Sequence, residues 1–173
     1  ACPPPDGHAH NGVMTALDIL DLPTGPVALR RAREADLPEI VALLADDVLG
    51  REREARELGP YRRAFAAIDR DPAHLLLAAR DEAGALLATL QLTLLPSLSR
   101  GGSLRLQIES VRVAADARGS GLGSALMQWV HRWGREHGAA LAQLTTDAAR
   151  TDAHRFYTRL GYAPSHLGFK LPL

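Results

Sequence analysis

Apolar residues change their spacing several times along the chain, and each change marks an element. Ile40, Val41, Leu43 and Leu44 recur at helical intervals just after Asp36 and Glu39, whose three-residue separation forms a capping box, so a first helix is predicted there. A second helical stretch runs from about Arg51 to Arg70, interrupted at Gly59 and Pro60 and stopped by Pro72, with Tyr61, Phe65 and Ile68 on its inner face. The period then shortens to two. His74 to Arg80 and, beyond a DEAG turn, Leu86, Ala88, Leu90, Leu92 and Leu94 predict two antiparallel strands. After the loop PSLSRGG, the run LRLQIESVRV predicts a third, with Leu104, Leu106 and Ile108 on one face and Arg105, Gln107 and Glu109 on the other.

Helical spacing returns from Gly121 to His137, where Leu122, Ala125, Leu126, Trp129, Val130 and Trp133 form one stripe closed by Gly138. A strand over ALAQLTT, a short helix with Ala153, Phe156, Tyr157 and Leu160 on one side, and a final strand or pair over Tyr162 to Leu171 complete the order. Val27 to Arg31 predicts one more strand ahead of the first helix. Residues 1–25 read as an N-terminal tail, at most partly ordered, leading into one domain over 26–173. The alternation of strands and helices, without internal repeats, predicts an α/β fold around a mixed sheet.

Composition narrows the function. A chain of 173 residues with 46% hydrophobic and 23% charged residues is a globular domain. Its apolar runs are too short for a bilayer span, which needs about 20 residues. Twenty basic and twenty acidic side chains cancel, so no global field favours nucleic acid or a membrane surface, and an anion site must be local. The single cysteine, Cys2, excludes an internal disulfide and a thiolate metal cluster and suits a reducing cytoplasm. His8 and His10 lie in the tail, and His131 and His137 are six apart on a helix, so no pair has zinc-motif spacing; no metal is expected. Asp152 and His154 read as a helix start and a surface side chain.

The sharpest local signal is VRVAADARGSGLGSAL, a strand whose end leads through a Gly-rich turn into the long helix. Gly119, Gly121 and Gly123 permit close approach of a ligand, the unpaired N–H groups of the helix start attract a phosphate, and Arg118 adds positive charge. The plainer alternative is a turn that merely requires positive φ. A P-loop is excluded because the only lysine is Lys170. A dinucleotide fingerprint fails because Ser124 stands at the third glycine position and no suitable acid follows.

The run RGSGLG resembles the acyl-CoA pyrophosphate loop of the GNAT superfamily of N-acetyltransferases, R/Q-x-x-G-x-G/A, and AHRFYTRLGY is similar to that family's second signature, A-x-x-F-Y-x-x-x-G-F/Y. The motifs stand in the family's order and separation, and the resemblance covers roughly Val27 to Leu173. It implies a GNAT-like mixed, mostly antiparallel β-sheet flanked by helices, with acetyl-CoA as cosubstrate. It further implies that the backbone of Val111 and Val113 meets the pantetheine arm. The amides of Arg118, Gly119, Ser120, Gly121, Leu122, Gly123 and Ser124 would hold the pyrophosphate, and Tyr157 would protonate the departing thiolate. The family often has asparagine three residues before the alanine of the second motif; Arg150 stands there instead, and its planar fork suits phosphate oxygens.

An amine acceptor arrives as an ammonium ion and must lose a proton before attacking a thioester. Glu109, two residues before Val111, is the candidate base, as a glutamate on this strand is in many family members. An ion pair with Arg105 or Arg112, or simple attraction of the substrate, is the alternative. The resulting expectation is a cytoplasmic N-acyltransferase, monomeric or homodimeric, that moves an acetyl group directly to a small-molecule primary amine in a ternary complex. Nucleic acid and membrane are not expected partners. Acetylation of a protein α-amine or lysine, or acyl-CoA binding without catalysis, are the alternatives. Acceptor choice is expected to rest on the segment from Gly50 to Tyr61 and the loop Pro96 to Ser103.

Overall fold

A computed structural model describes residues 16–46 and 57–173. The N-terminal segment through residue 15, with Cys2, His8 and His10, lies outside the described residues, as do residues 47–56, which include the start of the second predicted helical stretch and part of the Gly50–Tyr61 segment. Six strands form one sheet in sequence order: β1 (Asp18–Leu22), β2 (Gly25–Arg31), β3 (His74–Arg80), β4 (Leu86–Pro96), β5 (Leu104–Val113) and β6 (Ala139–Leu144). Neighbours pair antiparallel except β5 and β6, which run parallel because α3 (Leu122–Glu136) crosses over between them. Helices α1 (Leu37–Ala45) and α2 (Gly59–Arg70) separate β2 from β3, and α4 (Thr151–Arg159) follows β6. This is the mixed, mostly antiparallel sheet expected. Asp18–Leu22, read above as part of the tail, forms the edge strand of a hairpin closed by Gly25 at φ 117°.

Period-two alternation divides β3 between the two faces. Leu75, Leu77 and Ala79 join Leu29, Leu90, Leu92, Leu106 and Ile108 under α3, where Leu126, Met127 and Val130 close the layer. Leu76 and Ala78 point the other way, beneath Leu37 and Ile40 of α1 and Phe65 of α2. Each fully buried Leu contributes about 1.5–3 kcal/mol, so the α3 face carries most of the fold's apolar stabilisation.

The capping box expected at Asp36 and Glu39 does not form. Asp36 makes no side-chain cap on α1, and Pro38 removes one of the N–H groups a cap would serve. Its carboxylate instead accepts from Arg30 at 2.6 and 2.7 Å, from Arg80 at 2.9 Å and from the Arg33 amide at 2.7 Å, while Glu39 pairs with Arg80 at 2.7 Å. Bonds assisted by charge outcompete a neutral amide. Burial alone would raise the Asp36 carboxyl, but the bonds from Arg30, the Arg33 amide and Arg80 hold it down to about 2.

The predicted final strand over Tyr162–Leu171 is also absent. Residues 162–173 have no regular structure, and Leu167, Phe169, Leu171 and Leu173 are exposed despite their strand-like alternation. Pro164 and Pro172 lack an N–H for a ladder and Gly168 weakens the run between them.

Candidate active site

The middle of β5 breaks the regularity of the sheet. Leu92 faces Ile108 and Gln91 faces Glu109, but Thr89 faces Arg112, so two β5 residues, Ser110 and Val111, oppose Leu90 alone. Ser110 takes φ 54°, a left-handed conformation uncommon for serine, and the bulge turns the following residues by one position. Val111 and Val113 therefore pack toward the α3 core, while Glu109 is exposed. No residue type announces this bulge, since glycine would be the usual signal.

The strands part at the same point. Pairing between β5 and β6 ends at Ile108 opposite Leu144, which leaves the backbone of residues 109–113 without a strand partner on that side. The gap fits an extended arm carrying amide groups, such as pantetheine. Its edge is not bare, because Arg112 donates to the Val111 carbonyl at 2.9 Å and Arg118 Nε to the Val113 carbonyl at 3.1 Å. Arg118 also reaches Asp46 at 3.4 Å, so its side chain braces the end of β5 against the end of α1.

Below the gap, the turn into α3 is shaped by Gly119 and Gly121 at φ 81° and 90°, with open space where a side chain would stand. Gly123 lacks the positive φ of the other two, and an added Cβ there would meet the Phe156 ring of α4 at 3.5 Å, an ordinary van der Waals contact. Among the described residues, the N–H groups of Gly119, Ser120, Gly121, Gly123 and Ser124 meet no acceptor, whereas that of Leu122 meets Ser120 Oγ at 3.3 Å and that of Arg118 meets the Ala115 carbonyl at 3.4 Å. Ser120 Oγ itself donates to Ala117. A cluster of outward N–H groups at the start of a 15-residue helix fits a pyrophosphate.

Tyr157 stands on α4, half-buried, its ring edge-on to Phe156 and to Tyr162 at 5.2 and 5.8 Å. Burial raises its phenol above the ordinary value, partly offset by the charges of Arg112 and Arg150. No hydrogen bond from another described residue occupies its hydroxyl. Arg150 precedes α4 and acts on this phenol through its charge. Behind Tyr157 lies a contact that the sequence reading did not single out: His131 Nε2 is 2.8 Å from the Tyr162 hydroxyl, linking α3 to the residue that follows α4. The tyrosine closing the second motif was the only visible hint of it. Asp152 pairs with Arg155 on the surface of α4.

Comparison with known proteins identifies the family. The profile of the acetyltransferase (GNAT) family matches residues 37–162. The chain belongs to the GNAT family. It is 34% identical over 142 residues to the aminoalkylphosphonate N-acetyltransferase of Salmonella typhimurium, covering 82% of this chain and 88% of that relative. Among solved structures, a transcriptional regulator from Bacillus halodurans superposes with a TM-score of 0.80 at 44% identity, covering 85% of this chain and 99% of that one. An acetyltransferase from Trypanosoma brucei superposes at 0.70 with 26% identity, covering 85% and 99%. This GNAT protein is thus an acetyltransferase, and members of the family use acetyl-CoA as cosubstrate. No helix of the described residues is long and apolar enough to cross a membrane.

Proposed function

We propose that this acetyltransferase moves the acetyl group of acetyl-CoA directly to the primary amine of a small molecule, with both substrates bound at once. The observation that carries the reading is the parting of β5 from β6 after Ile108, on the segment that leads into the unpaired N–H groups of Gly119, Ser120, Gly121, Gly123 and Ser124. Those amides hold the pyrophosphate, and the freed backbone around Val111 and Val113 holds the pantetheine, sharing carbonyls with Arg112 and Arg118. Arg150 adds positive charge on the α4 side. Acetyl-CoA supplies a thioester carbonyl open to attack.

Glu109, exposed beside the bulge, takes the ammonium proton directly or through a water. Tyr157 gives a proton to the leaving sulfur. A phenol is protonated at neutral pH even at its ordinary value, so Tyr157 carries the proton that an acid must give. The name of the Salmonella relative supports a small amine as acceptor. The name of the Bacillus halodurans neighbour favours a second reading, a regulatory module that binds acyl-CoA without turnover. Retention of both Glu109 and Tyr157 speaks for catalysis.

Glu109→Gln tests the base. The variant should lose about 10²–10⁴-fold in kcat near neutral pH, and the loss should shrink as pH rises because more of the amine is already neutral. A variant that raises KM for the amine alone, with kcat and its pH profile intact, would make Glu109 a substrate anchor.

A further inference from the structure

We propose that the acceptor is a primary amine bearing a compact hydrocarbon group, and that this group sits in the hollow between α1, α2 and the β4–β5 bulge. The inference rests on the N-acetyltransferase reading above and adds the chemistry of the acceptor. The hollow is half-open, has a volume of about 130 Å³, and reaches Gln91 and Ser110 on its sheet side. Gln91 faces Glu109 across the strands, and Ser110 follows Glu109 directly, so the polar end of the hollow adjoins the proposed base. The other end is hydrocarbon. Leu44 comes from α1, Tyr61, Phe65 and Ile68 from α2. Thr89 also lines it, but its hydroxyl is committed to the Leu77 carbonyl at 2.7 Å, so it offers little polarity.

Size and wall chemistry select the occupant. An engineered cavity of about 150 Å³ lined by Leu, Ile and Phe admits benzene, so a hollow of about 130 Å³ suits a branched alkyl group or a single small ring. None of the described residues lining it is charged. Of the cations on the same sheet face, Arg30 and Arg80 are bound to Asp36 and Glu39, and Arg112 stands half-buried opposite Thr89. The hollow's hydrocarbon walls favour each methylene they bury, a gain that a phosphonate or a second ammonium group does not supply. The hollow therefore favours an amine at one end of a small apolar body.

The experiment measures thiol release from acetyl-CoA with ethylamine, isobutylamine, isoamylamine, benzylamine, aminoethylphosphonate and spermidine. The kcat/KM should climb roughly tenfold per added methylene from ethylamine until the hollow is full, and the two polar amines should fall below benzylamine. Ala64 lines the hollow from an exposed position on α2, so Ala64→Phe fills it without disturbing the core. The variant should raise KM for isoamylamine and benzylamine at least tenfold while ethylamine and acetyl-CoA stay within about twofold. Preference for aminoethylphosphonate or spermidine, or a hydrocarbon preference untouched by Ala64→Phe, would overturn the acceptor assignment and leave the acetyltransferase reading standing. Release with none of the amines would overturn the small-amine reading and this inference together.

Discussion

Beneath α3, Leu29, Leu77, Leu90, Leu106, Leu126 and Val130 form a closed aliphatic layer, whereas beneath α1 and α2 the same sheet buries Arg30, Asp36, Thr89 and Thr93 and leaves a hollow beside its bulge. The contrast separates two tasks. Tight packing on one face holds the strands, so the other face can leave space unfilled and fix its helices with charge. The arginine–carboxylate cluster is the device that permits this: it ties β2, β3 and the start of α1 together where hydrocarbon packing is thin.

Breaking that cluster should have the largest effect on stability. Asp36→Ala leaves Arg30 buried without its carboxylate and should cost about 3–5 kcal/mol in denaturant unfolding. The Asp36 carboxyl sits at about 2 in the fold against 3.8 ordinarily, so its stabilisation is present above pH 3.8 and lost as pH falls toward 2. The gap between wild type and Asp36→Ala should narrow over that window. A loss no larger than that of a surface substitution, or a gap constant with pH, would show that the α1 face is held by its hydrocarbon contacts instead.

A pair of truncations sharpens the comparison further. Leu126→Ala, at a fully buried site under α3, should cost about 2–5 kcal/mol, while Leu44→Ala, half-buried on the wall of the hollow, should cost about 1 kcal/mol. Equal losses would mean that the hollow closes in solution and that the two faces pack alike.

The α3 face was largely legible in the sequence, because Leu86 to Leu94 and Leu122 to Trp133 each repeat with a period that only one element satisfies. The other face was less so. Asp36 and Glu39 have the spacing of a cap, and spacing cannot reveal that Arg80, 44 residues beyond Asp36, will bind both carboxylates and Arg30 the first of them. The glycine turn was legible as a turn, but Gly123 resembles Gly119 and Gly121 on paper, and only the structure shows that it lacks their positive φ and has Phe156 against it. Ser110 was silent because its strained backbone is imposed by the pairing of β4 with β5 and not by its own preference. The alternation of Leu167, Phe169 and Leu171 read as a strand, yet Pro164, Gly168 and Pro172 interrupt its hydrogen-bonding capacity. Patterns thus located the elements, while long-range pairing fixed the details of the candidate site.

In the proposed reaction Tyr157 acts on the leaving group at the gap between β5 and β6. The most direct measurement is kcat for Tyr157→Phe beside the dissociation constant for acetyl-CoA. The substitution removes the hydroxyl and keeps the ring that packs against Phe156 and Tyr162. A general acid contributes about 10²–10⁴-fold, so kcat should fall by that factor while acetyl-CoA binds as it does to the wild type. An unchanged kcat, or a loss of acetyl-CoA affinity that accounts for the whole effect, would contradict the claim.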